Sequence, residues 1–290
     1  MSREIKITDG LVREMAPVRP CEGHKNDFGH LLLCAGSKYM TGALVLSSSS
    51  ALRSGAGLVT AFSSDDTLLP VKIKCPCALT SAWEEDAALN LRKASALLKK
   101  TTAAAIGPGL DEDDPGTRAL VEYFLSEARV LLLDAGALNI ISRYREELLP
   151  LLASRRERGL LPAVLTPHIG EMRRLIKGDV THEVCTKFAV ENACLLVLKN
   201  NKTLIYTPHD TWYSIQGDNS GLAKGGSGDV LTGLTGGFLA QGIELSNAAV
   251  AAVWFHSKAG KLAAAVKGER GMTPEDVIDK LPDAFRETGW

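Results

Sequence analysis

The chain has 290 residues, a formal charge of −1 and 45% apolar residues. This balance suits one large domain with ample core and speaks against a general nucleic-acid or membrane-surface role, which a marked basic excess would signal. No uninterrupted apolar run approaches the roughly 18 residues needed to span a bilayer, and the charged start Met1-Ser2-Arg3-Glu4-Ile5-Lys6 lacks an apolar signal core, so the expected location is cytoplasmic.

Residues 1–28 read as an irregular arm. His30 to Ala35 is a continuous apolar run ending in Gly36-Ser37, the pattern of a strand buried on both faces of a parallel sheet. Thr41 to Arg53, rich in Ala, Leu and Ser, reads as a helix stopped by Ser54-Gly55. Strands follow at Leu58 to Phe62 and Ala103 to Ile106, with a helix at Asp86 to Lys100 between them and the tight loop Gly107-Pro108-Gly109 after the second. A helix over Pro115 to Ser126, a strand over Arg129 to Leu133 and a helix after Asp134 continue the pattern. Short strands at Ala163 to Leu165 and Leu195 to Lys199 come next. Then Thr203 to Tyr206 and Thr211 to Ile215 flank the turn Pro208-His209-Asp210 as a hairpin. The last third reads as helices at Ser227 to Ala240, at Leu245 to Ala265 and from about Thr273. Alternating strands and helices imply a single three-layer α/β/α domain, 1–290, around a mainly parallel sheet. Ligands in such sheets bind at the carboxyl ends of the strands, where the unusual residues of this chain collect.

Cys21, Cys34, Cys75, Cys77, Cys185 and Cys194 form no CxxC pair and read as buried thiols, so no metal ligands are assigned. The basic pairs Lys99-Lys100, Arg155-Arg156 and Arg173-Arg174 read as solvated helix faces.

The segment with most chemistry is Asn219 to Asp229, ending Gly225-Gly226-Ser227-Gly228-Asp229 at the mouth of a helix. Glycines let backbone N–H groups close on a ligand, and a helix N-terminus favours phosphate. A carboxylate there is misplaced for holding an anion. It suits a base that takes a proton from a hydroxyl attacking that phosphate; the plainer role is to complement the helix dipole. No Walker pattern occurs. Thr166-Pro167-His168 with Glu171 reads as a helix cap compatible with a ligand contact by His168. Lys199-Asn200-Asn201-Lys202-Thr203 suits either a polar turn or a nucleotide loop. Gly109 and Thr41-Gly42-Ala43 suit plain turns and helix starts, or a ligand lying on bare backbone. Asp134 suits either a helix cap or the orientation of Mg²⁺ or a hydroxyl.

In their joint order these segments resemble one family, the ADP/ATP-dependent NAD(P)H-hydrate dehydratases of ribokinase-like fold. The matching residues are His24-Lys25, Phe28-Gly29, Gly36-Ser37, Thr41-Gly42-Ala43, Arg53 to Leu58, Gly107-Pro108-Gly109, Asp134-Ala135, Thr166-Pro167-His168, Glu171, Lys199 with Thr203, and Ala223 to Asp229. The resemblance implies a hydro-lyase of metabolite repair. A nucleotide, ADP or ATP with Mg²⁺, phosphorylates the C6 hydroxyl of the S epimer of NADHX or NADPHX, and phosphate then leaves to restore NADH or NADPH. By the same resemblance Asp229 is the base. Gly225, Gly226, Ser227 and Gly228 form the anion hole. Ala43, Gly109, His168 and Asp229 bind the hydrate, and Lys199, Asn200, Asn201, Lys202, Thr203 and Gly228 bind the nucleotide.

Four positions depart from the family pattern. Asn200 and Asp111 stand where glycine is usual, Ile169 where proline is usual, and Ser227 replaces a common threonine. Asparagine tolerates positive φ, which would preserve the turn at position 200. The length leaves no room for the epimerase domain of many relatives, so a separate NAD(P)HX epimerase is the expected pathway partner, and the family implies a homotetramer. The alternative is a ribokinase-like kinase acting on a vitamin-precursor alcohol, and a non-catalytic nucleotide sensor is the third reading. The kinase would share the glycine turn and Asp229 but not the need for His168 and the early His24-Lys25, and Asp229 with the intact turn speaks against the sensor.

Overall fold

Side-chain alternation along the apolar strands sets the architecture. Leu31 and Leu33 pack into one helical layer, while Leu32 and Cys34 pack into the other. The computed structural model describes residues 3–209 and 211–290; Met1, Ser2 and Asp210 of the expected turn lie outside the described residues. The strands are β1 (Arg3–Lys6), β2 (His30–Cys34), β3 (Leu58–Ser63), β4 (Leu79–Ala82), β5 (Ala103–Ile106), β6 (Leu131–Leu133), β7 (Val164–Leu165), β8 (Leu195–Leu198), β9 (Lys202–Tyr206) and β10 (Thr211–Gln216). The helices are α1 (Asp9–Glu14), α2 (Thr41–Arg53), α3 (Asp65–Lys74), α4 (Ala87–Leu98), α5 (Pro115–Glu127), α6 (Ala135–Arg143), α7 (Arg145–Ala153), α8 (Ile169–Ile176), α9 (His182–Glu191), α10 (Ser227–Ala240), α11 (Leu245–Gly271) and α12 (Pro274–Thr288).

One sheet runs in the order β1-β10-β9-β8-β7-β6-β5-β2-β3-β4. Among the described pairs only β9 runs against its neighbours. Helices α2, α3 and α10 to α12 cover one face and α4 to α9 the other. The chain moves outward from β2 to β3 and β4, then crosses back to β5 on the other side of β2. The carboxyl ends of β2 and β5 are therefore a topological switch point, where such folds open a crevice.

Helix α10 is buried along almost its whole length. Small residues make that possible. A Cβ at Gly233 would lie 2.1 Å from the Ser47 carbonyl oxygen of α2, and one at Gly237 would lie 2.0 Å from Ser54 Oγ. Ser50 Oγ donates to the Val230 carbonyl at 2.6 Å, tying the two helices. On the sheet side Gly236 sits over Leu31 and the alanine-rich β5.

Several expectations are corrected. The arm over 1–28 is not wholly irregular: β1 pairs in parallel with β10, and α1 buries Val12. Four residues are too few to show a strand period, and only the partner strand reveals β1. Helices α3 and α7 each carry an internal proline, Pro70 and Pro150, which masks them in the sequence. Helix α11 runs past Ala265 to Gly271, interrupted at Gly268, whose φ is 69°. Arg155 is not a solvated helix residue. It is fully buried, and its guanidinium donates to the carbonyls of Leu125, Ala128 and Leu161, satisfying chain ends that water cannot reach. Cys21 and Cys77 are exposed, whereas the other four thiols are buried.

Candidate active site

The carboxyl ends of β2, β5, β6, β7 and β8 converge on the start of α10. Gly226, at φ 95°, turns the chain into that helix, and no side chain caps the helix start. Ser227 N–H donates back to the Lys224 carbonyl at 3.2 Å, and the N–H groups that follow it at the helix start can face an anion. A Cβ at Gly225 would meet nothing within 4 Å, so the turn is open on its outer side. Gly226 has no such room, because Leu46 and Pro274 wall it in. Lys224 braces the approach by donating to the carbonyls of Arg270 and Met272.

Asp229 lies in the first turn of α10. Burial pushes its carboxyl up to about 7, the Asp134 carboxylate adds to that push, and Lys199 opposes it. Asp134 follows β6 at the helix start, yet its side chain makes no cap. Instead Oδ1 accepts from Lys199 Nζ at 2.7 Å and Oδ2 accepts from Thr232 Oγ1 at 2.6 Å. Thr232 stands three residues after Asp229 and anchors this carboxylate from the same helix. Lys199 loses proton affinity by burial but gains more from Asp134, Glu171 and Asp229, so the ammonium is held. A Cβ at Gly228 would lie 3.4 Å from Lys199 Nζ, which places that cation beside the glycine turn.

The crevice side is built by Gly107, Gly109 and Ala43. Gly36 N–H donates to the Pro108 carbonyl at 2.7 Å, joining the loops after β2 and β5. Gly109, at φ 62°, packs so closely on α2 that a Cβ would lie 2.7 Å from that of Ala43. His168 caps α8: Nδ1 accepts from the N–H groups of Gly170 and Glu171, and Glu171 Oε2 accepts from His168 N–H at 2.7 Å. With Nδ1 used as an acceptor, the ring proton sits on Nε2 (an assignment from hydrogen bonding). The His168 side chain remains 54% exposed, so the cap and a ligand contact coexist. His168 and Lys199 bridge side by side between β7 and β8.

The expected loop at 199–203 divides. Lys199 points into the site, while Lys202 Nζ reaches Glu4 Oε1 of β1 at 3.4 Å and lies over the Trp212 ring. Thr203 Oγ1 and Asn201 N–H close the turn on Asn200. The expected need for positive φ at Asn200 does not arise, because the non-glycine residues at positive φ are Ala135, Lys177 and Ala193 among those described. One residue of the site carried no signal in the sequence: Thr232 looks like any helix residue.

A carboxyl titrating near neutrality, a held cation and an open helix start can together deprotonate a hydroxyl and receive a phosphoryl group. The sequence profile described as NAD(P)H-hydrate dehydratase matches residues 31–283. The chain is 37% identical over 276 residues to the bifunctional NAD(P)H-hydrate repair enzyme of Synechocystis, covering 93% of this chain and 51% of that one. It thus spans about half the length of such bifunctional relatives. The ADP/ATP-dependent NAD(P)H-hydrate dehydratase of Bacillus subtilis, co-crystallised with ATP/Mg²⁺, superposes with a TM-score of 0.81 at 29% identity, covering 97% of each chain. A ribokinase-like superfamily protein of Enterococcus faecalis shares the fold, with a TM-score of 0.84 at 24% identity over 98% of this chain and 96% of that one. The chain belongs to the NAD(P)H-hydrate dehydratase family and has the ribokinase-like fold.

Proposed function

We propose that this chain dehydrates the S epimer of hydrated NADH or NADPH, with ADP or ATP as phosphoryl donor, and so returns the reduced cofactor. The observation that carries this reading is the Asp229 carboxyl, held beside an open glycine turn and raised to about 7. Such a group is basic enough to take a proton from an alcohol and is about half ionised at neutral pH.

The hydrate's flat ring lies at the switch point beside Ala43 and Gly109, which pack closely on one another, with the half-exposed His168 at its edge. Asp229 takes the proton of the C6 hydroxyl as its oxygen bonds to the terminal phosphorus of the nucleotide, while the bond from that phosphorus to the bridging oxygen breaks and AMP (from ADP) or ADP (from ATP) leaves. The glycine turn from Gly225 to Gly228 holds the phosphoryl oxygens, and Lys199 offsets their charge. The C6–O bond then breaks with its electron pair on phosphate, and the neighbouring ring carbon releases a proton to close the double bond. Hydroxide leaves poorly and phosphate leaves well, which is why a phosphoryl donor serves a dehydration.

The nucleotide lies along Lys199, Asn200, Asn201, Lys202 and Thr203 toward Gly228, supported by the open turn and by the likeness to a dehydratase co-crystallised with ATP/Mg²⁺. Mg²⁺ neutralises phosphate charge when bound. Among the described residues no group of three or more His, Cys, Asp and Glu side chains could hold a metal ion; Asp134 is the carboxylate beside the site that would be chemically suited to assist one. Residues 1–290 act as one cytoplasmic catalytic unit, assembled as a homotetramer, and an epimerase supplies the S form from the R form. No described helix is long and apolar enough to cross a membrane.

The test is recovery of reduced-nicotinamide absorbance from the purified S hydrate with Mg²⁺ and either nucleotide. Phosphorylation of a vitamin-precursor alcohol without such recovery would sink the reading in favour of a kinase.

A further inference from the structure

His256 is a polar residue on the packed face of α11. Ala252, His256 and Gly260 follow one another at four-residue spacing, and Gly260 presses on Leu222 in the turn Ser220–Leu222 ahead of the glycine segment. This face of α11 therefore underlies the approach to the anion-binding turn. The His256 ring lies against the Ser227 backbone, the first residue of α10. Its Nε2 is sealed from water and makes no hydrogen bond. A buried ring nitrogen without a partner is costly, and this one lies where it can serve the turn.

The other supports of the turn are accounted for. Lys224 holds its approach, Leu46 and Pro274 wall Gly226, and no side chain caps α10. Within the turn, Ser227 N–H donates to the Lys224 carbonyl at 3.2 Å. Burial, with Lys199 adding, pushes the His256 ring down to about 4 while the Ser227 backbone opposes the shift, so the imidazole is neutral and adds no competing charge.

We propose that His256 is a positioning residue for the anion-binding turn, its contact with the Ser227 backbone tightening when the turn holds a phosphoryl group. It acts through the turn and not on the substrate. The proposal rests on the phosphoryl-transfer reading above only for its rate measurements. Hydrogen bonds that are long at rest commonly tighten in the working complex.

The full chain with His256→Phe keeps a ring of similar volume without polar atoms, and His256→Asn keeps a donor and acceptor. His256→Phe is expected to melt within a few degrees of the parent, to bind ADP within about threefold, and to lose about tenfold or more in kcat. His256→Asn is expected to recover most of that loss. Full kcat in a folded His256→Phe protein would overturn the proposal, as would failure of His256→Asn to recover rate. Side-chain ¹⁵N spectra of the unmodified chain form a separate arm. The His256 signals are expected to show one neutral tautomer and to shift on saturation with ADP and Mg²⁺; unmoved signals at saturation would overturn it. If the parent chain fails to dehydrate the hydrate, the function falls and this spectral arm still decides the role of His256.

Discussion

The two ends of helix α10 use glycine for opposite purposes. At its start Gly225 faces open space, Gly226 turns the chain, and Gly228 leaves room beside Lys199. Two turns further on, Gly233 and Gly237 have no room at all, because the backbone of α2 and the Ser54 hydroxyl occupy the place of a side chain. The front glycines keep atoms away so that a ligand can come close. The rear glycines bring a neighbouring helix close so that nothing moves. An anion site with free N–H groups works only if those groups point in a fixed direction, and the closed end provides that rigidity.

The largest effect expected at the open end is from Asp229→Asn. Its kcat falls roughly 10²- to 10⁴-fold, with ADP affinity by calorimetry changed little. The folded state should gain at the same time. Asp229 has its proton affinity raised on folding, so its contribution is intact below about pH 4 and is lost as pH rises through about 7. Above pH 7 the asparagine variant is therefore more stable by on the order of 2–4 kcal/mol, and the gain vanishes in acid. Denaturant melts at pH 8 and pH 4 check the sign.

The pH profile comes second. Below neutrality kcat/KM should fall about tenfold per unit and level off above about 7, as one carboxyl gains its proton. A midpoint near 4 would show that Asp229 is not held in the state described. Gly233→Ala tests the closed end. Its new methyl meets the Ser47 carbonyl, so stability falls by about 1–3 kcal/mol while the midpoint of the pH profile stays in place. Gly225→Ala should act least. Its methyl enters open space, so melting moves by less than about 0.5 kcal/mol while turnover falls a few-fold. Should Gly225→Ala instead destabilise as much as Gly233→Ala, the contrast between the two ends would fail.

The central strands and the glycine turn were legible because their signals are local. Leu31 to Cys34 and Leu131 to Leu133 are unbroken apolar runs, and Gly225 to Asp229 is dense in glycine. Asp134 was half legible: its place after a buried strand was clear, but only the fold shows that its carboxylate turns away from capping toward Lys199 and Thr232. Lys202 shows the reverse. It sits in the right loop, yet its ammonium goes to Glu4, a partner on a strand that short local pattern could not reveal. His256 and the buried Arg155 were illegible, because the carbonyls and backbone that surround them come from distant parts of the chain.

Strand β1 has one sheet partner, β10, and the Glu4 contact with Ser214 joins residues 210 positions apart. During synthesis β1 therefore waits unpaired while nearly three quarters of the protein emerges, on the order of 10–40 s at ribosomal speeds. Closing so long a loop is slow in entropic terms, so this edge should be among the last parts to form. Because Glu4 also holds Lys202, the far side of the loop over residues 199–203 gains its final support in that late step. A nascent chain would thus complete its core before it completes the loop over residues 199–203.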